Sequence, residues 1–315
     1  MNASHWSEVS ERGSVRALRF AAWAHRHLGR APMRVLLRCA SLYFFAFAPG
    51  VRRASRSYLE RIWQRPDARA ALRRAPGPRS VIAHIYSFAT SVYDRMVVLG
   101  GELDAYQIEH DRSGEIFALA REKRGALLLG AHLGSFELLW YLSRKYDLAI
   151  NVVAYFENAA RINGFLDSLD PGTRVRAIGL DPSSVRSAFE IRACIERGEF
   201  VVILADRVPP GERARCAQAA FLGASAAFPI GPFELAGVLD CPVSLALCVR
   251  TGEGRYRTVL RPLRDAARIA RAERDARARE LLLGYVAALE SYCTRFPYEW
   301  FNFFDFWCES SERAA

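Results

Sequence analysis

One stretch, Gly125-Ala-Leu-Leu-Leu-Gly-Ala-His-Leu-Gly-Ser-Phe-Glu-Leu-Leu-Trp140, constrains the fold more than any other part of this chain. Four apolar residues bounded by glycine read as a buried strand. The apolar run that follows a small polar residue reads as a helix start. The spacing therefore predicts strand 126–130, helix 135–145, and His132 on the turn between them. Ser135 falls near the helix N-cap and Glu137 in the first helical turn. Turns at the carboxyl ends of strands are where open α/β sheets bind ligands.

The rest of the chain repeats this alternation. Strands are expected at Tyr106–Glu109, Leu148–Tyr155 and Phe200–Leu204, and another opens at Cys241-Pro242-Val243. Helices are expected at Ser80–Gly100, Gly114–Lys123, 183–197, Phe233–Leu239 and 264–292. Pro209-Pro210-Gly211 suggests a mobile loop. His84 lies on an apolar helix face and reads as a satisfied core histidine. The fold class is α/β, a mixed central sheet with helices on both faces.

Charge divides the chain. The first 80 residues carry sixteen Arg, no Lys and four acidic residues, a net +12 against +10 for the whole chain. A basic arm of this kind faces a polyanion, nucleic acid or an anionic membrane. Residues 15–28 mix Arg16, Arg19 and Arg26 with Leu18, Phe20, Trp23 and Leu28, as in a basic amphipathic helix. Met33–Ala48 forms a more apolar helix ended by Pro49-Gly50. A third segment sets Arg52, Arg53, Arg56 and Arg61 among Tyr58, Leu59, Ile62 and Trp63. This order resembles a monotopic anchor on an anionic leaflet. A helical subdomain packed on the core, with Arg on its wet face, fits the same residues. No nucleic-acid-binding signature is present. The longest apolar run, Cys39–Ala48 with Ser41, is far below the roughly 20 residues of a spanning helix. No secretory signal is visible. Seven scattered cysteines without a C-x-x-C pair read as reduced thiols. Ala75-Pro-Gly-Pro78 places a boundary, giving a membrane-associating segment 1–77, a catalytic domain 78–310 and a tail 311–315.

A neutral imidazole at 132 can take a proton from a hydroxyl when a carboxylate holds its other nitrogen. Glu137 can fold back across the turn to do so. Backbone N–H groups around Gly134 and Ser135 are candidate oxyanion donors. On spacing alone, an exposed histidine and a glutamate complementing the helix dipole fit equally well.

Gly-Ala-His-Leu-Gly-Ser-Phe-Glu resembles the His-x4-Glu motif of bacterial lipid A biosynthesis (lauroyl/myristoyl-type) acyltransferases, within the lysophospholipid and glycerolipid acyltransferase superfamily. The likeness runs from about residue 15 to residue 307. It implies that His132 and Glu137 are catalytic. Ala205-Asp206-Arg207 resembles the family's Ala-Asp-Gln at a strand end, with Arg207 in place of Gln. That implies that Asp206 fixes a substrate or catalytic side chain and that Arg207 meets a phosphate or phosphopantetheine. Arg161 is the candidate for a substrate-contacting Arg in the loop after the next strand. Phe221, Gly223, Pro229, Gly231 and Pro232 match a block whose small residues, Gly223 and Gly231 among them, admit a substrate. Pro297–Trp307 resembles the terminal aromatic block, read here as a core-closing strand, and looks closer to a branch found beside aryl-polyene lipid clusters.

The resemblance implies transfer of an acyl group from acyl carrier protein or acyl-CoA to a hydroxyl of a lipid or glycolipid. It implies no metal or bound cofactor, and a place on the cytoplasmic face of the bacterial inner membrane. A hydrolase using the same pair on water, and an inactive membrane scaffold, are the alternatives. No Gly-x-Ser-x-Gly elbow accompanies the histidine.

Overall fold

The structure is a computed structural model. It describes residues 23–25, 27, 29–99, 102, 105–111, 114–135, 138, 143, 145–155, 175–180, 186–208 and 215–307. The chain divides into two compact units. One comprises the described residues up to Glu102 with Gln218–Ala227 and those from Leu289 onward; the other comprises Leu103–Ala217 and Phe228–Ala288.

The second unit is built on a seven-stranded mixed sheet, so the chain is α/β. Its strands are β1 (Gln107–Asp111), β2 (Ala126–Gly130), β3 (Ile150–Tyr155), β4 (Val175–Leu180), β5 (Phe200–Leu204), β8 (Val243–Gly252) and β9 (Arg255–Arg264), in the order β1-β9-β8-β2-β5-β3-β4. β2, β3, β4, β5 and β8 run parallel; β9 is antiparallel to β8, and β1 is parallel to β9. Parallel strands covered on both faces must be apolar throughout. Accordingly β2 is buried along its whole length, and Phe200–Ile203 of β5 are buried too. Helices Gly114–Arg121, Arg186–Glu196, Gly231–Val238 and most of Arg274–Arg295 belong to this unit.

The first unit is helical. α1 (Arg30–Phe47) and α2 (Pro49–Gln64) meet at Ala48, where the axis bends by 97°. Arg52 closes the break by donating from Nη1 to the Phe45 carbonyl at 2.6 Å, so a cation caps the carbonyl end of α1. α3 (Pro78–Leu99) follows the Ala75-Pro-Gly-Pro78 turn, and the same compact unit continues through it to Glu102. His84 is the core histidine that its apolar face predicted. It is fully buried, bonded by the Ser55 hydroxyl at Nδ1 and to the Trp300 carbonyl from Nε2, both at 2.9 Å. Burial lowers its pKa to about 4, although the bond to the Trp300 carbonyl works in the opposite sense.

Two expectations change, and one block gains a structure. The terminal aromatic block is no strand. Residues 301–307 have no ladder; Trp300 packs on Tyr58 and Phe221 with ring centroids 5.0 and 5.3 Å apart, and the Trp307 indole N–H donates to the Phe221 carbonyl. Bulky rings on successive residues close this unit by packing on several sides. The expected helix 264–292 begins ten residues later, at Arg274. Arg264 instead ends β9, and its guanidinium binds the carbonyls of Leu239 and Cys241 at 3.1 and 3.2 Å. The block from Phe221 to Pro229 is a two-stranded ribbon, β6 (Cys216–Phe221) and β7 (Ala224–Pro229), turned by Leu222 and Gly223 at φ 50° and 81°. Two positive φ values at the turn match the right-handed twist of the strands. The helix expected over 15–28 lies largely outside the described residues, where 23–25 and 27 are helical. The loop at 209–211 lies outside them entirely.

Candidate active site

β2 and β5 pair in parallel with Gly130 opposite Leu204. Both strands then continue through a buried alanine, Ala131 and Ala205, to a polar residue. Carrying the same register two residues further sets His132 opposite Asp206. Asp206 is wholly buried and turns both carboxylate oxygens on the histidine. The His132 ring donates from Nδ1 to Oδ1 at 2.8 Å, and its backbone N–H donates to Oδ2 at 3.0 Å. The imidazole keeps 26% of its surface exposed, so the ring is held from behind and open on another side.

The electrostatics follow from that geometry. Burial on its own would raise the Asp206 pKa. The charge and hydrogen bonds of His132 outweigh it, Arg207 adds to them, and the pKa is lowered to about 2. Asp206 is therefore a carboxylate at neutral pH and can only accept, which places the proton on Nδ1 and the lone pair on Nε2. Arg207 lies beside it, its pKa lowered to about 10 by burial and partly restored by Asp206.

The turn around His132 is held by three further contacts. The Gly130 carbonyl accepts from the Ala205 N–H at 3.0 Å and from the Tyr285 hydroxyl at 2.8 Å, so both of its lone pairs are used. Tyr285 is fully buried and meets the ring of Phe233 edge-on at 5.4 Å. Beyond His132 the chain stays extended rather than turning at once into a helix. Gly134 pairs with Cys248 of β8, and the Ser135 N–H donates to the Cys248 carbonyl at 2.8 Å. Gly134 has φ 74°, and a Cβ there would lie 2.0 Å from that carbonyl oxygen. Only glycine fits.

Of the residues singled out in the sequence, the structure joins His132 with Asp206 and sets Arg207 next to them. Asp206 takes the position on Nδ1 that the motif assigns to Glu137; Glu137 and Arg161 lie outside the described residues. Ser135 is a poor oxyanion donor, because its N–H is already engaged by Cys248. Gly134 remains the candidate. Gly231 opens the helix Gly231–Val238, with Pro232 in its first turn. Gly223 lies in the first unit, at the ribbon turn, where its φ of 81° is what requires glycine. Tyr285 escaped the sequence reading, since a tyrosine within an apolar helix carries no spacing signal. Among the described residues no group of three His, Cys, Asp or Glu side chains is placed to hold a metal ion. No family model matches this sequence, and no curated protein matches it.

Proposed function

We propose that this protein is a membrane-associated O-acyltransferase. It would move a fatty acyl group from an acyl carrier protein or CoA thioester to a hydroxyl of a lipid or glycolipid acceptor. The observation that carries the reading is the buried Asp206 carboxylate fixing the His132 ring at the carboxyl end of the central parallel strands. It is supported by the resemblance of Gly130–Glu137 to the lipid A acyltransferase motif.

In this mechanism His132 Nε2 removes the acceptor hydroxyl proton as the oxygen attacks the thioester carbonyl. The Asp206 carboxylate stabilises the imidazolium that forms. The Gly134 N–H is the candidate donor to the developing oxyanion. Collapse of the tetrahedral intermediate breaks the C–S bond, and the imidazolium returns its proton to the departing thiolate sulfur. The products are an ester and a free thiol, with no acyl-enzyme and no cofactor required. Arg207 would meet a phosphate of donor or acceptor. Arg161, Gly223 and Gly231 remain candidate substrate contacts. An acyltransferase-like sheet with helices on both faces, and an N-terminal segment on the anionic cytoplasmic face of a bacterial inner membrane, belong to the same proposal.

The test is lipid mass spectrometry of cells expressing wild type or His132→Ala. The expected result is one lipid class that differs by a single acyl mass. Identical lipidomes at equal protein levels would sink the reading.

A further inference from the structure

α1 is packed inside out. Its fully buried residues are Met33 and Ser41. Leu37, Phe44 and Phe45 are half-buried, but five other large apolar side chains point outward: Val35, Leu36, Leu42, Tyr43 and Phe47 keep between 39% and 69% of their surface in solvent. With Cys39, also exposed, they follow the spacing i, i+1, i+4, i+7, i+8, i+12, a single stripe along the helix. A helix that packs on a protein core normally turns this stripe inward. On α1 the stripe lies on the outer face, beside the exposed Arg38, and the exposed Arg53 and Arg56 follow on α2.

Among the described residues no single helix is long and apolar enough to cross a membrane. α1 has 18 residues, about 27 Å of helix, and the chain leaves it through a 97° bend into a helix with four arginines but few exposed apolar groups. We infer that α1 lies in the plane of an anionic phospholipid leaflet, with Val35, Leu36, Cys39, Leu42, Tyr43 and Phe47 immersed among the acyl chains. The occupant is chosen by charge: the first 80 residues carry net +12, which suits acidic headgroups at the rim of an apolar stripe and repels a second copy of the same surface. Tyr43, ring to ring with Phe47 at 5.1 Å, is of the type that settles at the headgroup boundary. The inference gives the membrane part of the proposed function a specific surface and does not depend on its chemistry.

Cys39 makes the surface measurable, since it is the exposed cysteine in the middle of the stripe. The full chain, carrying a polarity-sensitive fluorophore on Cys39, is mixed with vesicles of phosphatidylglycerol and phosphatidylcholine. The expected result is a blue shift, quenched by a quencher placed on the acyl chains, and absent when Cys39→Ser is labelled in the same way. Leu42→Ser with Phe47→Ser should weaken vesicle binding by about tenfold or more, while His132→Ala binds like wild type. Vesicle binding without a Cys39 shift, or with unchanged strength in the double variant, would overturn the assignment. So would a lipid-independent dimer cross-linked through Cys39.

Discussion

Asp206 spends both oxygens on one residue, and that concentrates a large consequence in a single substitution. Asp206→Asn keeps the size of the side chain and loses the charge that holds the proton on Nδ1 and that, in the proposed mechanism, stabilises the imidazolium. We expect a fall in kcat on the order of a thousandfold or more, with KM little changed, by analogy with the equivalent substitution in a serine-protease triad. Glu137→Gln should cost much less. A steady-state comparison of the two variants decides between the carboxylates, and a Glu137 variant weaker than the Asp206 variant would return the orienting role to the motif glutamate.

At the scale of elements, the site depends on how β2 ends. Tyr285 reaches from the helix Arg274–Arg295 to the Gly130 carbonyl, two residues before His132. Tyr285→Phe removes the hydroxyl that makes this hydrogen bond and keeps the ring that packs on Phe233. The expected loss in stability is about 1 kcal/mol. If Tyr285 positions the turn, kcat falls severalfold at constant KM and the His132 ring titration, followed by NMR, shifts. Unchanged titration and kcat would leave Tyr285 a purely structural residue. The same elements show what was legible beforehand. β2 and β5 could be read because strands buried on both faces must be continuous apolar runs. β9 could not, because Arg255, Arg257, Arg261 and Arg264 interrupt it, and its strand character comes from pairing with β8. The helix start at 264 failed for the same reason: Arg and Ala favour a helix locally, but the two carbonyls bound by Arg264 keep it in the sheet. His132 was legible from its motif. Its pairing with Asp206 was legible only as proximity, since the contact is set by the register of two strands that lie far apart in sequence.

For the whole molecule, acid stability should track the buried histidine of the helical unit. His84 has a folded pKa of about 4 against an ordinary 6.5, so the unfolded chain binds the extra proton between these values. The stabilisation is complete above pH 6.5 and is lost as pH falls towards 4, roughly 3 kcal/mol in all. Asp206 acts lower: its depressed pKa contributes stability above 3.8 that disappears as pH falls through about 2. Denaturant melts followed by tryptophan fluorescence should therefore show stability declining from pH 6.5 to 4. His84→Gln should flatten that slope by about one proton, even if the variant is less stable at every pH. An unaltered slope would mean that the buried imidazole is not the group being protonated.

The shared register of β2 and β5 also bears on how such a site can vary. Seventy-four positions separate His132 from Asp206, yet their alignment is copied from the backbone ladder and not negotiated by the intervening chain. Length changes between β2 and β5 leave the pair intact wherever they spare the strands. One residue gained or lost within either strand would turn one member of the pair to the opposite face. Natural variation in chains built this way should therefore accumulate as insertions around β3 and β4, outside the two strands that align the pair.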